Sequence, residues 1–502
     1  MKAALLSVSD TTNLEHLAKT LTSLGFTLLT TTGTGKYLNS FGIESVSIED
    51  YTGYKEILGG RVKSLHPKIH GGILAKRDSK SDMDDLKSID AFPIDVVVVT
   101  LYPFRSKAKK EMPHREQIEL VDIGGATLLR AAAKNCEYVL VVSDPSQYNE
   151  VTDKLIEAKS VEALEFEYKK EKAILAFSLL ADDTLSVAKL LSSGSIGGEV
   201  LTKFQDLRYG ENPHQEAGFY KRFSSKELPW EQHQGKELSY NNLLDLDASF
   251  SLIEPFFGDA PTAIIIKHTN PCGVGTGNSL LEAVKRAKKS DPRSHFGGIV
   301  VVNQKMDVEE ADEIASEFAE IVVAPDFTEQ ALIRFSKNKN LRVVSFSSIS
   351  KDYELRSAAS GFLIQSSDTV SSDYEVVSRR EPTKDELKEL NFAWKVCAKV
   401  KSNAIVLAKE NSVIGIGAGQ MSRIDSVELC LHKAKIHGHS TKGSVCASDA
   451  FFPFPDSITA LGEAGVTAIL APGGAKRDEE TIAEANRFNI ALLFSKYRHF
   501  RH

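Results

Sequence analysis

Short apolar runs alternate with amphipathic stretches through the first 190 residues, and that rhythm leaves few folds open. Ala3–Val8, Phe26–Thr31, Val96–Leu101 and Tyr138–Val142 have the length and content of strands, while Leu14–Leu24, Thr34–Phe41 and Thr127–Ala133 have helical spacing. Strands that alternate with helices pair in parallel, because each crossover helix packs back onto the sheet. A longer helical stretch runs from about Val161 to Leu191, and the Ser/Gly-rich segment 192–198 reads as a linker. A first α/β domain is therefore expected over 1–195.

The rest of the chain carries a weak internal duplication. Ala263-Ile-Ile-Ile leads into a glycine turn, 273–277, and Ala404-Ile-Val-Leu leads into another, 415–419. Ile321-Val-Val-Ala-Pro325 is echoed by Ala468-Ile-Leu-Ala-Pro472. Two related α/β halves joined near Ser371–Thr383 would explain the echo, and chance likeness of buried strands is the alternative. The second domain is expected over 199–502, with subdomains at about 199–370 and 384–502. A chain of 502 residues is too long for one core in any case.

Charge and cysteine usage remove several classes. The net charge of −7 leaves no basic footprint for nucleic acid. No window approaches 18 apolar residues, so no membrane span is expected. Five scattered cysteines without a C-x-x-C fit a reducing cytoplasm, and the start is too polar for a secretory segment. P-loop, G-x-G-x-x-G, H-E-x-x-H and G-x-S-x-G patterns are all missing, so ATP, NAD and zinc are not expected.

What remains is a set of polar turns where strands end. Thr262–Ile266 reads as a buried parallel strand, and Asn270-Pro-Cys-Gly273 as a turn that continues neither strand nor helix. Lys267 and His268 then stand at a carboxyl edge, where α/β sheets bind ligands, and such a pair can carry protons and hold an anion. Ser7-Val-Ser-Asp10 and Thr30-Thr-Thr-Gly-Thr-Gly-Lys36 could hold a phosphate, although plain helix capping would also account for them. Gly59–Gly72 crowds five cationic or titratable side chains between two glycine pairs, as an anion site or a solvated basic loop. The stretches Leu101–Phe104, Val121–Gly125, Leu207–Gln215, Gly235–Asp247, Lys401–Asn403 and Ser448–Phe454 add further polar or aromatic turns.

In this order, the strings GGRVKSLHPKIHGG, LYPF, VDIGGATLLRAAAKN, LRYGENPHQ, KHTNPCG, KSNAIVLAKE, IGIGAGQMSR and SDAFFPF resemble the bifunctional AICAR transformylase/IMP cyclohydrolase family of purine biosynthesis. The resemblance runs from Ser7 to the final Arg498–His502. It implies a methylglyoxal-synthase-like parallel-sheet domain followed by two cytidine-deaminase-like subdomains without zinc. It implies formyl transfer from 10-formyltetrahydrofolate to the 5-amino group of AICAR, giving FAICAR, and then dehydrative closure of FAICAR to IMP. It also implies a cytoplasmic homodimer, with folate as co-substrate and no metal required.

Carried over by motif, Lys267, His268 and Asn403 would be the transformylase catalytic set. His268 would act as base, with Lys267 and the Asn403 amide steadying the intermediate. Arg208, Tyr209, Asn242 and Arg498 would hold the nucleotide, and Ile424, Phe451 and Asp456 would meet the folate. For the cyclohydrolase, Lys63, Tyr102, Asp122 and Lys134 would act on the substrate. Ser7, Ser9, Thr31, Thr34, Arg61 and Ser64 would bind it. The chain departs from the family at Thr11-Thr12-Asn13, where Lys-Thr-Gly is usual, and at Thr32, Thr100 and Pro455, where Gly, Asn and Arg are usual. Two other readings follow from such departures: a binding protein that has lost catalysis, and a transformylase with a vestigial first domain.

Overall fold

In the computed structural model, which describes residues 2–225, 227–347 and 353–502, the first apolar runs become five strands of one sheet. These are β1 (Lys2–Val8), β2 (Phe26–Thr30), β3 (Val46–Ser47), β4 (Val96–Thr100) and β5 (Leu140–Val142). Their order is β3-β2-β1-β4-β5 and every pair is parallel. Alternate side chains of β1 enter two separate cores, Ala3 and Leu5 on one face, Ala4 and Leu6 on the other. That is the mark of a sheet covered on both faces, and it is why β4 reads as an unbroken Val96–Val99 run. The chain builds outward from β1 to β3, then crosses to β4 and β5, so a crevice opens beyond the carboxyl ends of β1 and β4. The helix predicted at Thr34–Phe41 spans Thr32–Asn39, and the last long helix spans Phe166–Leu191.

The chain divides into two units, Met1–Lys203 with Tyr220–Lys226, and Phe204–Phe219 with Glu227–His502. Strands β6 (Leu201–Leu207) and β7 (Ala217–Arg222) pair as a ribbon. The second unit then contributes β8 (Trp230–Gln234), β9 (Thr262–Lys267), β10 (Asn270–Thr276), β11 (Ile299–Val302), β12 (Ile321–Ala324) and β13 (Arg342–Phe346). A separate hairpin, β14 (Tyr353–Ala358) and β15 (Gly361–Ser366), precedes β16 (Tyr374–Val376), β17 (Ile405–Lys409), β18 (Ser412–Gly417), β19 (Val445–Ser448), β20 (Ala468–Pro472) and β21 (Ala491–Ser495).

Twelve of these strands form one sheet, β16-β21-β20-β19-β17-β18-β10-β9-β11-β12-β13-β8. Read inward from either edge, the pairings repeat: antiparallel, parallel, parallel, antiparallel, antiparallel. The two six-strand halves meet where Gly275 faces Ser412 across β10 and β18.

Three local expectations are corrected. β9 is antiparallel to both neighbours rather than parallel, and toward β10 the reason is that a two-residue turn cannot make the crossover that parallel pairing needs. Asn270-Pro-Cys-Gly273 opens β10 rather than forming the turn, and the register slips between Pro271 and Gly273 where proline cannot donate. His268 and Thr269 make the turn instead, both with left-handed backbones (φ 52° and 62°). Most of each expected glycine turn is strand as well, Gly273–Thr276 in β10 and Gly415–Gly417 in β18. A Cβ at Gly273 would lie 2.0 Å from the Ala287 carbonyl oxygen, and one at Gly417 would lie 1.9 Å from that of Ser426. These glycines let the helices Leu280–Ser290 and Arg423–Ile436 lie directly on the strands.

Candidate active sites

At the carboxyl edge of the first sheet, three loops surround β1 and β4. Thr100, at the end of β4, uses its hydroxyl to accept the Ser9 and Asp10 N–H groups at 2.7 and 3.0 Å. Ser9 Oγ in turn donates to the Leu101 carbonyl at 2.6 Å. The loop after β1 is thus held by the chain itself, and its first two amides are already satisfied. Asn13 follows at φ 57°, a backbone that asparagine tolerates better than most residues. Beside it, the helix Thr32–Asn39 starts from Thr31 without a side-chain cap. Its first N–H groups and its dipole face the edge, which suits a phosphate. Thr34 clamps β1 by accepting the Val8 N–H at 3.1 Å, and its hydroxyl lies 3.2 Å from that of Thr31. Ser7 lies in β1.

The third loop brings Tyr102, Asp122 and Ser64 together. The Asp122 carboxylate accepts from Gly125 N–H at 2.7 Å and from Tyr102 N–H at 3.2 Å, tying the β4 loop to the start of helix Gly124–Lys134. Buried Ser64 packs against the same start, its hydroxyl 3.1 Å from where a Gly124 Cβ would stand. Lys63 is exposed next to it, and Arg61 pairs loosely with Glu119 at 3.7 Å. Lys107, which sequence reasoning missed, donates to the Tyr102 hydroxyl at 2.8 Å and lies 4.2 Å from its ring centre. Lys134 is the exposed last residue of the helix Gly124–Lys134, whose first turn the Asp122 carboxylate ties down.

A cavity of about 560 Å³ adjoins this edge, lined by Ser9, Tyr102, Arg105, Asp182 and Asp183 among others. Arg105 binds Asp182 at 2.9 Å. Burial first, and then the charges of Asp122 and Asp182, push the Asp183 carboxyl up to about 6. A carboxyl with a raised folded-state value holds its proton more tightly folded than unfolded. Asp183 therefore costs stability as pH climbs from about 4 through 6. Asp183→Asn is expected to stabilise the first unit at pH 8 by about 1–2 kcal/mol, a value discounted because the group is only half-buried. The gain should vanish at pH 4. Hydrogen exchange along Phe166–Leu191 reads it, and equal protection at pH 8 would contradict the account.

In the second unit a chain of hydrogen bonds joins the motif loops. Asn241 donates to the Glu211 carbonyl at 3.3 Å, tying the Arg208-Tyr209 loop to the helix Tyr240–Ile253. Asn242 caps that helix reciprocally with Ser239. One turn on, Asp245 accepts the Thr269 N–H at 2.6 Å. Asn270 accepts the Lys401 N–H at 3.1 Å, which sets the Lys401-Ser-Asn403 loop beside the His268 turn. Ser402 Oγ accepts the Arg501 N–H at 3.1 Å, and the His499 N–H reaches the Asp449 carbonyl at 3.0 Å. The exposed Arg498 thus lies on a tail pinned to this same edge, its guanidinium 4.7 Å from the Phe500 ring.

Within this edge, Lys267 Nζ donates to the Phe296 carbonyl at 2.9 Å, and the His268 side chain is exposed. Arg208 stacks on Tyr209 at 5.1 Å. Asn403 is fully engaged: its amide nitrogen donates to Gln420 at 2.9 Å, and its oxygen accepts from Arg423 at 2.9 Å. Arg423 also pairs with Asp449, which no solvent reaches and which accepts from Ser402 Oγ and Ala404 N–H as well. Of the aromatic loop, Phe452 is core, while Phe451 and Phe454 are exposed, with Arg477 5.1 Å from the Phe454 ring. Ile424 is half-buried against the outer core, and Asp456 opens the helix Asp456–Glu463 by accepting from Ser457 N–H. Burial and then the Asp291 charge push the Cys272 thiol up to about 12, so it is no nucleophile at neutral pH. Among the described residues no His, Cys, Asp or Glu group could hold a metal ion, and no helix is long and apolar enough to cross a membrane.

Two polar edges in two α/β units, each with its own cationic and proton-carrying side chains, define an enzyme with two active centres. Comparison with known proteins says which. A family model described as AICARFT/IMPCHase bienzyme matches residues 132–433, and one described as MGS-like domain matches 13–127. The bifunctional purine biosynthesis protein PurH of Aquifex aeolicus (strain VF5) is 44% identical, covering 99% of this chain and 100% of its own. The proteins of the same name from Caldicellulosiruptor saccharolyticus and Nostoc sp. (strain PCC 7120) are 43% and 44% identical, and both chains are covered in full. The chain belongs to the AICARFT/IMPCHase family, the bifunctional enzymes of the last two steps of IMP synthesis.

Proposed function

We infer that the second unit transfers the formyl group of 10-formyltetrahydrofolate to AICAR at the Lys267-His268 turn, and that the first unit closes the product to IMP around Asp122. In the first step the AICAR amine attacks the formyl carbon. Its proton passes to His268, Lys267 steadies the developing oxyanion, and the carbon–N10 bond breaks as the folate nitrogen takes up a proton. FAICAR and tetrahydrofolate result. Asn403, held by Arg423, shapes the opposite wall. Arg208, Tyr209, Asn242 and Arg498 hold the nucleotide, and Ile424, Phe451 and Asp456 face the folate.

In the second step the FAICAR carboxamide nitrogen attacks the formyl carbon within one molecule, and water is lost. Holding the two groups together supplies much of the rate. Asp122 takes the carboxamide proton, while Lys63 and Tyr102, the latter braced by Lys107, stabilise the oxyanion. The open start of helix Thr32–Asn39 grips the phosphate, with Ser7, Ser9, Thr31, Thr34, Arg61 and Ser64 around it. Lys134 shares the proton shuttling with Asp122. The enzyme works in the cytoplasm as a homodimer. The hairpin of β14 and β15 supports a dimer, since Phe362, Leu363 and Ile364 stand exposed in a row.

The observation that carries this reading is the bond from Lys401 N–H to Asn270, which sets the His268 turn and the Asn403 loop on one edge. Supplying the protein with FAICAR alone should yield IMP, and supplying AICAR with 10-formyltetrahydrofolate should yield FAICAR first. Lys63→Ala is expected to slow closure roughly a hundredfold and leave formyl transfer unchanged. Failure of the unaltered protein to make IMP from FAICAR would reject cyclization, and an unchanged closure rate in the variant would remove Lys63 from it.

A further inference from the structure

His268 and Thr269 are consecutive non-glycine residues with left-handed backbones, a conformation that persists only when its surroundings hold it. Asn270 Nδ2 donates to the His268 carbonyl at 3.3 Å, and a shorter bond comes from another element. The Asp245 carboxylate, on the second turn of helix Tyr240–Ile253, accepts the Thr269 N–H at 2.6 Å. Burial raises the Asp245 carboxyl, and the Thr269 N–H and nearby His268 draw it back down. Lys267, the next residue on β9, directs its ammonium to the Phe296 carbonyl, and Lys401 stands on the loop bonded to Asn270. Asp245 is thus the carboxylate that the neighbouring helix presents to the turn.

We propose that Asp245 is a positioning residue for formyl transfer: it pins the His268–Thr269 turn through the Thr269 amide and supplies the negative charge that steadies the imidazolium formed as His268 takes the amine proton. This extends the function proposed above and rests on it. The arrangement serves the purpose that a carboxylate serves behind a catalytic histidine elsewhere, orienting the ring and compensating its charge, but it does so through the backbone next door.

Two substitutions separate these contributions. Asp245→Asn keeps an oxygen to accept the Thr269 N–H and removes the charge. It is expected to lower kcat for formyl transfer roughly tenfold, because the positive charge that develops on the ring then has no counter-charge behind it. Asp245→Ala also frees the turn and should lower kcat roughly a hundredfold. In both variants KM for AICAR should change less than threefold, and closure of FAICAR, measured in the same preparation, should stay at the unaltered rate. An Asp245→Asn enzyme with unaltered kcat, or one whose loss appears in KM for AICAR rather than in kcat, would overturn the proposal while leaving the transferase reading intact. If the unaltered protein transferred no formyl group, that reading would fall and take this one with it.

Discussion

His268→Ala is expected to lose formyl transfer by roughly a hundred- to ten-thousandfold, the usual contribution of a positioned general base, while FAICAR closure continues unchanged. The AICAR amine is conjugated to a ring that bears a carboxamide, so it is a weak nucleophile and must shed its proton as it attacks. His268 stands exposed at the tip of the β9–β10 turn. Cys272, four residues on in β10, is held as the thiol and cannot substitute. Truncating the imidazole removes no packing, so the variant should fold normally. Coupled assays on one preparation decide the matter. Equal loss of both activities in a folded protein would contradict two separate centres, and full retention of formyl transfer would remove His268 from the chemistry.

The second large effect is structural and reaches the same site. Arg423→Leu leaves the Asp449 carboxylate buried without its cation, and removing one partner of such a pair costs about 3–5 kcal/mol. The loss should be measurable without interference from the first unit, because both tryptophans, Trp230 and Trp394, lie in the second. Urea unfolding followed by tryptophan fluorescence is expected to shift to lower midpoint by that amount. Formyl transfer should fall as well, since Arg423 also holds the Asn403 oxygen. Combining Arg423→Leu with Asp449→Leu should cost less than the sum of the single changes, because no charge is then left stranded. A loss below about 1 kcal/mol for Arg423→Leu would mean that Asp449 finds another partner or water.

Much of this was legible in the sequence, for a physical reason. Apolar runs such as Val96–Val99 and Ile264–Ile266 can only be strand interiors, and polar turns at their ends mark where a sheet meets ligand. The duplication was legible too, because buried strands in equivalent positions keep similar side chains. Pairing direction was not: whether Thr262–Lys267 runs parallel or antiparallel to its neighbours depends on a two-residue turn, His268–Thr269, that no hydrophobic pattern encodes. Gly273 and Gly417 looked like turns because closeness to a helix backbone leaves the same signature in sequence as a reversal. Asp245 and Asp183 were invisible for the opposite reason. Asp245 falls in Gly235–Asp247, which reads as a polar turn, and Asp183 in the long helical stretch, and only the fold shows that one faces the His268 turn and the other a carboxylate cluster.

The departures from the family pattern find local reasons. Thr100 satisfies Ser9 and Asp10 with one hydroxyl, and Asn13 keeps the positive φ where the family has glycine. At Thr11, where the family has a lysine, the cation that shares the same cavity is Arg105, paired with Asp182.

The most direct test is a crystal structure of the protein with AICAR and a non-reactive folate analogue bound. The account predicts the AICAR amino nitrogen within hydrogen-bonding reach of His268, its formyl-accepting face toward Lys267 and its phosphate among the cations of the second unit. AICAR seated beyond the reach of both Lys267 and His268 would contradict it.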